Sequence, residues 1–248
     1  SVTLSGATDG QSIRYTLDQS LPIATSPGYS APIGVSKTTQ IRARIFETDG
    51  SAGPTSTETY IFLSTDIRSF RTNLPIVIID NFGGGRPVDA TTMFMAIIRP
   101  DEEGDGLAGI SDPFQVATCG TMKVRGSSSL GWPKYSMTIE AWDGDNLDRN
   151  IKPLDLPSEG DWVLNSKYQF DLALMRNDLA YRISNDLGEY APRTRLVEVI
   201  NNTGGGSLSY NSDYFGVYSL VEKIKRDKDR VDVTKVLPTD NSEPNVSG

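Results

Sequence analysis

"KVRGSSSLGWPKYSMTIEAW" (residues 123–142) sets three consecutive serines between two glycines and then turns, through Trp132-Pro133-Lys134, into a stretch of alternating polarity. The segment leading in, "PFQVATCGTMKVRG" (113–126), alternates as well, and "YSMTIEAW" (135–142) returns in the same period of two. Such a pattern specifies two strands joined by a loop, with one face of each strand turned to a core. Working outward, "LPIVIIDN" (74–81) and "TTMFMAIIRP" (91–100) are continuous apolar runs of strand length, as expected for strands covered on both faces. "TRLVEVIN" (194–201) and "YFGVYSLVEKI" (214–224) read as a strand pair around the Gly/Ser-rich "NNTGGGSLSYNSD" (201–213). Between them "KYQFDLALMRNDLAYRISNDLGEY" (167–190) reads as the one clear helix. Phe170, Leu172, Leu174, Met175, Leu179, Ala180 and Ile183 recur at helical spacing, and Gly188 stands where a helix ends. Strands with one helix make an α+β domain.

Residues 1 to about 62 differ in texture. "VTLSG", "SIRYTLD", "APIGVSK", "TQIRARIFE" and "TETYIFL" are short alternating strands with turn residues every 8 to 12 positions, the pattern of a small all-β sandwich. The polar "STDIRSFRTN" (64–73) follows, which places a domain boundary near residue 64 and gives domains 1–63 and 64–248.

Composition removes several functions. Lys plus Arg number 24 against 32 Asp plus Glu, and a net charge of −8 argues against nucleic-acid or anionic-membrane partners. No apolar run approaches the ~18 residues of a membrane span. Cys119 is the sole cysteine and histidine is absent, so an internal disulfide, a Ser-His-Asp triad and a His-ligated metal are all excluded. The acidic loops "DEEGDG" (101–106) and "DGDNLD" (143–148) invite a calcium reading. The second has Leu147 and Asp148 where an EF-hand loop wants an oxygen ligand and then Gly, so a solvated turn is the better reading.

The serine loop has three readings. Arg125-Gly126-Ser127-Ser128-Ser129-Leu130-Gly131 offers N–H groups and hydroxyls to an anion, with the Lys134 ammonium within reach of a phosphate held there. Neither the Walker pattern nor the kinase Gly-rich pattern is present, and taken alone an irregular hairpin turn is the plainer reading, with Lys134 a surface lysine laying its stem along apolar surface. A nucleophilic serine needs a base. No serine has Lys three residues on and no Gly-x-Ser-x-Gly occurs, which leaves only a nonstandard dyad of Ser127, Ser128 or Ser129 with Lys134, a His-free hydrolase.

Two resemblances widen this reading. Through Ile13-Arg14-Tyr15-Thr16-Leu17-Asp18, Ser20-Leu21-Pro22, Tyr29, Pro32-Ile33 and Ile41-Arg42-Ala43, the first quarter resembles the fibronectin-III-like domain found at the C-terminus of chitobiases, with Gln19 where that family usually has Gly. From about residue 70 the chain resembles the CotH-type (spore coat protein H) kinases. The residues that carry this are Thr72 to Ile78, "RGSSSLGWPKYSMTIE", "LPSEGDWVLNSKYQFDLALMRNDLAYRISNDLGEYAPRTRLVEV" and "YFGVYSLVEKIKRDKDRVDV".

The resemblance implies an atypical, kinase-like α+β fold after the sandwich, and ATP-dependent phosphoryl transfer to Ser/Thr of a protein substrate with Mg²⁺ or Mn²⁺. It places Arg125, Ser127, Ser128, Ser129 and Lys134 toward the nucleotide, sets Asp171 to Asn177 in the regulatory-helix position, and puts Glu222 to Lys225 near the link between lobes, with Glu222 counted among nucleotide-binding residues. Tyr135 stands where the family commonly has a second lysine. The metal-binding and catalytic aspartates of the family are expected after Gly248, so the domain reads as incomplete and this segment as inactive by itself. The company such sandwiches keep implies a secreted or cell-surface bacterial protein. The competing expectation is a noncatalytic surface module for adhesion or carbohydrate contact, with Trp132, Trp142, Trp162, Tyr15 and Tyr29 available to stack on sugars.

Overall fold

A computed structural model describes residues 1–168, 171, 173–237, 241–242 and 245–246. The N-terminal segment contributes β1 (Ser12–Thr16), β2 (Thr39–Phe46) and β3 (Ser56–Tyr60), joined antiparallel in the order β1-β2-β3. It is therefore all-β, but a single three-stranded sheet stands where the sequence predicts a sandwich. Pro22, Pro27 and Pro32 punctuate the segment that would supply further strands, and each removes a ladder donor. Among the described residues its ladder pairing is limited to isolated bridges, Val2 with Ile33 and Arg14 with Gly28, supplemented by side-chain hydrogen bonds such as Arg42 Nη1 to Gln19 O.

The rest of the chain is built on β4 (Arg71–Thr72), β5 (Ile76–Asp80), β6 (Thr91–Ile98), β7 (Ala108–Gly109), β8 (Val116–Arg125), β9 (Ser136–Trp142), β10 (Asp161–Ser166), helix α1 (Arg176–Asp186), β11 (Thr194–Asn202), the one-turn α2 (Tyr210–Asp213) and β12 (Tyr214–Glu222). Two short strands follow, β13 (Asn241–Ser242) and β14 (Asn245–Val246), paired with each other. Seven strands close into a barrel in the order β10-β12-β11-β5-β6-β8-β9, with β9 pairing back onto β10. Only β11 and β5 run parallel; every other neighbouring pair is antiparallel. The sequence reads as α+β; among the described residues strand far outweighs helix, and α1 is the one helix longer than a single turn.

Period-two alternation fills the barrel. Val77, Ile79, Met93, Met95, Ile97, Met137, Ile139, Trp162, Leu164, Tyr218 and Leu220 all belong to one buried cluster, each two residues from the next on its strand, as inward-facing positions must be. The alternate residues of β5 and β6, Ile76, Ile78, Phe94, Ala96 and Ile98, form a second cluster with Ile67, Ala108, Ile110 and Leu208. These two strands are thus covered inside and out, which is why their sequences are apolar without alternation.

The helix is shorter than its periodicity predicts. It starts at Arg176 and carries no buried residue; Met175, Leu179 and Ile183 are half exposed. Gln169, Phe170 and Leu172, where the predicted helix begins, lie outside the described residues. The acidic loop 143–148 is not a free solvated turn either. Asp145 accepts hydrogen bonds from Thr55 N (3.3 Å) and Thr55 Oγ1 (2.7 Å) and pairs with Arg44 at 3.5 Å. The fully buried Arg42 reaches from β2 to Gly144 O (2.5 Å) and Asn146 Oδ1 (2.9 Å). At Gly144 a Cβ would lie 2.2 Å from Thr55 O, so only glycine permits this approach between the N-terminal sheet and the barrel.

Candidate functional site at the serine-loop end of the barrel

Strand directions bring one set of loops to one barrel end. β5 and β11 finish there at Asp80 and Asn202, β8 finishes at Arg125, β10 at Ser166, and β9 and β12 begin there. The serine loop spans β8 to β9 as two tight turns, Leu130 N donating to Ser127 O and Trp132 N to Ser129 O. Arg86 holds it, donating to Leu130 O (2.5 Å) and Trp132 O (3.0 Å) while its guanidinium lies 4.1 Å from the Tyr135 ring centroid. Trp132 packs on Tyr168 with ring centroids 5.3 Å apart. Arg125, Ser127 and Ser128 are exposed and Ser129 is half-buried.

Lys134 leaves the loop and turns inward. Its Nζ donates to Val217 O at 2.7 Å and sits 5.0 Å from the Tyr218 ring centroid. Burial holds its ammonium below the usual lysine range; Glu198 pulls the other way and Lys167 adds to the depression. No carboxylate among the described residues comes within ion-pairing distance of it. The Val217 carbonyl uses one of three ammonium donors, leaving two for a ligand. None of the three serine hydroxyls meets Lys134 or a carboxylate within hydrogen-bond distance among the described residues, so the serine–lysine dyad does not form in this geometry.

Lys167, just past the end of β10, carries no signal in the sequence because its partners lie in other elements. It is buried, ion-paired to Asp178 of α1, and 3.9 Å from Asp171. Ser219 of β12 donates to both Asp178 oxygens, at 2.7 and 2.8 Å. Burial raises the Asp178 carboxyl, but the hydrogen bonds from Lys167, Ser219 and Thr194 outweigh it and hold the group below the usual carboxylate range. This ion pair fastens to the barrel a helix that buries no side chain of its own. Of the residues expected in the regulatory-helix position, Asp171 accepts from Arg176 N at 2.9 Å and so caps the helix start.

Asp80 closes the same end from inside. It is fully buried, accepting from Phe82 N (2.7 Å) and from Asn202 Nδ2 (2.8 Å) across the parallel pair. Burial pushes its carboxyl up to about 6, with those two hydrogen bonds opposing and Asp213 reinforcing the rise. Neighbouring Asn201 donates to Tyr135 Oη at 3.0 Å while its own buried Oδ1 has no partner.

Glu222 is not part of this gathering. It is the last residue of β12, paired across the sheet with Trp162, whereas Tyr218 is the partner of Ser166 at the serine-loop end. Four residues of strand, roughly 13 Å, separate the two levels. Its carboxylate is buried and accepts from Arg193 N (2.9 Å) and Nε (3.0 Å), with Arg193 Nη2 at 2.8 Å. The family resemblance implies a place for Glu222 with the nucleotide; in the structure Arg193 occupies its carboxylate at the other barrel end. Among the described residues no three His, Cys, Asp or Glu side chains gather to hold a metal ion, and no helix is long and apolar enough to cross a membrane.

Comparison with protein families gives two matches. Residues 122–242 match the family described as CotH kinase protein, and residues 2–60 match the one described as Fn3 associated. The first match begins within β8, so β5, β6 and the start of β8 complete the barrel from outside it. Individually curated proteins give no match.

Proposed function

From the match of residues 122–242 to the CotH kinase family and of residues 2–60 to the Fn3-associated family, we propose that the serine-loop end of the chain receives the phosphates of ATP for transfer to a protein hydroxyl. The observation that carries this reading is Lys134: a half-buried ammonium with two donors unspent and, among the described residues, no carboxylate within ion-pairing distance. Uncompensated buried cations are costly unless an anion completes them. The exposed Ser127 and Ser128 hydroxyls and the loop's N–H groups lie in the same turn, suited to a polyanion's oxygens.

In the reaction proposed, a serine or threonine oxygen of the protein substrate bonds to the γ-phosphorus as the bond to the ADP oxygen breaks. The acceptor's proton leaves to a base outside the described residues. Lys134, with Arg125 and the serine loop, orients the phosphates and offsets their charge. Lys167 is spent on Asp178 and acts by fixing α1. Mg²⁺ or Mn²⁺ supplies charge neutralisation when bound, but the described residues do not assemble its ligands, and no step here is assigned to it. A secreted or surface-attached bacterial setting is part of the same proposal.

Calorimetric titration of the chain with ATP, with and without Mn²⁺, tests the assignment. Lys134→Ala is expected to weaken ATP at least about tenfold, the scale of a charge-assisted contact. Equal affinity in the variant overturns the role of Lys134.

A further inference from the structure

The face that the N-terminal sheet turns toward the barrel is polar where a buried contact is ordinarily apolar. Gln40 and Arg42 of β2 stand in register with Thr59 and Thr57 of β3, and Thr55 continues the row. Three buried atoms on this face have no hydrogen-bond partner: Gln40 Oε1, Arg42 Nε and Thr57 Oγ1. Gln40 and Arg42 are fully buried, 0% and 1% exposed, so open solvent does not satisfy them. A buried polar atom left unpaired costs about 1–3 kcal/mol. Three of them on adjacent residues call for an occupant.

There is room for one. Gln40, Thr55 and Thr57 line a cavity of about 220 Å³, whose opposite wall is aromatic and comes from the barrel: Phe94, Phe114 and Trp142. Phe94 and Phe114 have ring centroids 6.2 Å apart, and Phe114 is 42% exposed at the opening. At ~30 Å³ per water such a space corresponds to about seven waters, too large for one structural water and below the ~300 Å³ where drug-sized ligand sites begin. Of the three, Gln40 Oε1 and Thr57 Oγ1 belong to residues that line this space, one an acceptor and one a hydroxyl that does both, whereas Arg42 lies behind the lining. A hydroxyl-bearing ligand matches both, since each of its hydroxyls donates and accepts. Its charge is settled by the surroundings. The lining carries two carboxylates, Asp143 and Glu58, against one cation, Arg149, and Arg42 behind it is already faced by Asp145 and Asp143, so a neutral ligand fits better than an anion.

We propose that this cavity between the Fn3-associated sheet and the barrel binds a neutral saccharide unit of monosaccharide size. One sugar face lies on the Phe94–Phe114–Trp142 wall, and the hydroxyls complete Gln40 and Thr57. The site is independent of the nucleotide reading: Trp142 is the end of β9 remote from the serine loop.

The test is NMR titration of the whole chain with free glucose, galactose, mannose, N-acetylglucosamine and glucuronate, following the Gln40 side-chain amide and the Trp142 indole. At least one neutral sugar is expected to shift both signals saturably, and its uronate to bind about tenfold more weakly. Thr57→Val, which keeps the shape, and Phe114→Ala, at a half-exposed position, are each expected to weaken that sugar about fivefold without unfolding the chain. Lys134→Ala is expected to leave it unchanged. The proposal is overturned if no neutral sugar shifts these signals, if the uronate binds better, or if both variants bind as the parent does.

Discussion

The two ends of the barrel treat charge differently. Remote from the serine loop the buried carboxylates Glu159 and Glu222 are both ion-paired, while the buried Arg230 donates to Asp161 O and Lys223 O and leaves its Nη2 without a partner. Glu222 is enclosed by Arg193, while Lys225 pairs with Glu159 at 2.7 Å and Asp161 at 2.9 Å, and Lys223 with Asp161 at 2.8 Å. Burial alone would lower Lys225 and raise Asp161. Their mutual hydrogen bonds reverse both effects, leaving Lys225 above and Asp161 below the ordinary range. At the serine-loop end the Lys167–Asp178 pair is compensated in the same way, but at two groups burial prevails: Lys134 is depressed and Asp80 raised. The first end is a structural network. The second holds groups whose charged forms the fold by itself disfavours, which is the condition under which a ligand contributes most.

The largest expected effect breaks that network. Glu222→Ala leaves the Arg193 guanidinium beside a buried void and removes the acceptor for Arg193 N. Losing one partner of a buried pair costs about 3–5 kcal/mol, and the low end of about 3 kcal/mol applies here because the Arg193 side chain is partly exposed, so urea denaturation should show a lower midpoint. ATP affinity of the folded variant should match the parent. A large loss of affinity without loss of stability would return Glu222 to the nucleotide site and erase the contrast between the ends.

An effect of similar size probes Asp80 through pH. Its folded pKa of about 6 lies above the ordinary 3.8, so between those values the folded chain holds a proton that the unfolded chain has released. Stability from this group is present below about pH 4 and falls as pH rises to about 6; a shift of this size corresponds to about 3 kcal/mol. Asp161 and Asp178, both depressed, act in another window. Their contribution is present above 3.8 and is lost only at lower pH. Asp80→Asn keeps an acceptor for Phe82 N but sets a second amide donor against Asn202 Nδ2, so its absolute stability is a poor readout and its slope a good one. Stability measured from pH 4 to 6.5 should lose its downward component in the variant; an unchanged slope would remove Asp80 from the comparison.

Much of the barrel was legible because period-two alternation is a local signal. β8, β9, β11 and β12 declare their inward faces, and β5 and β6 declare burial on both. β10 was not read as a strand: "DWVLNS" is short, and its place is fixed by pairing with β9 and β12, contacts to residues as distant as Glu222. Closure was invisible for the same reason, and with it the architecture. The helix misled in the other direction. Its apolar spacing is real, but Leu179 and Ile183 stay half exposed and the Lys167–Asp178 pair does the fastening. At the site, Lys134 could be found beside its loop, whereas Lys167 depends on Asp178 and Ser219 from two other elements. Asp145 looked like a solvent-facing turn residue because its partner Thr55 is 90 positions away.

The finest test concerns how Lys134 is admitted to its place. Across β11 and β12 the register runs Val199 with Gly216 and then Ile200 with Tyr214, so Phe215 is bulged out. Gly216 takes φ +79° at this bulge, and a Cβ there would lie 3.5 Å from Lys134 Nζ, in ordinary contact rather than collision. Gly216→Ala should therefore cost only the left-handed backbone of a non-glycine residue, about 1 kcal/mol. Its methyl would replace water beside the ammonium, depress Lys134 further and weaken ATP about threefold, well short of the loss in Lys134→Ala. Urea titration and calorimetry on one preparation separate the two effects. An affinity loss equal to that of Lys134→Ala would mean that the bulge itself, through its N–H groups, holds the phosphate. A stability equal to the parent's would mean that alanine escapes the left-handed conformation and that the bulge is not what admits the lysine.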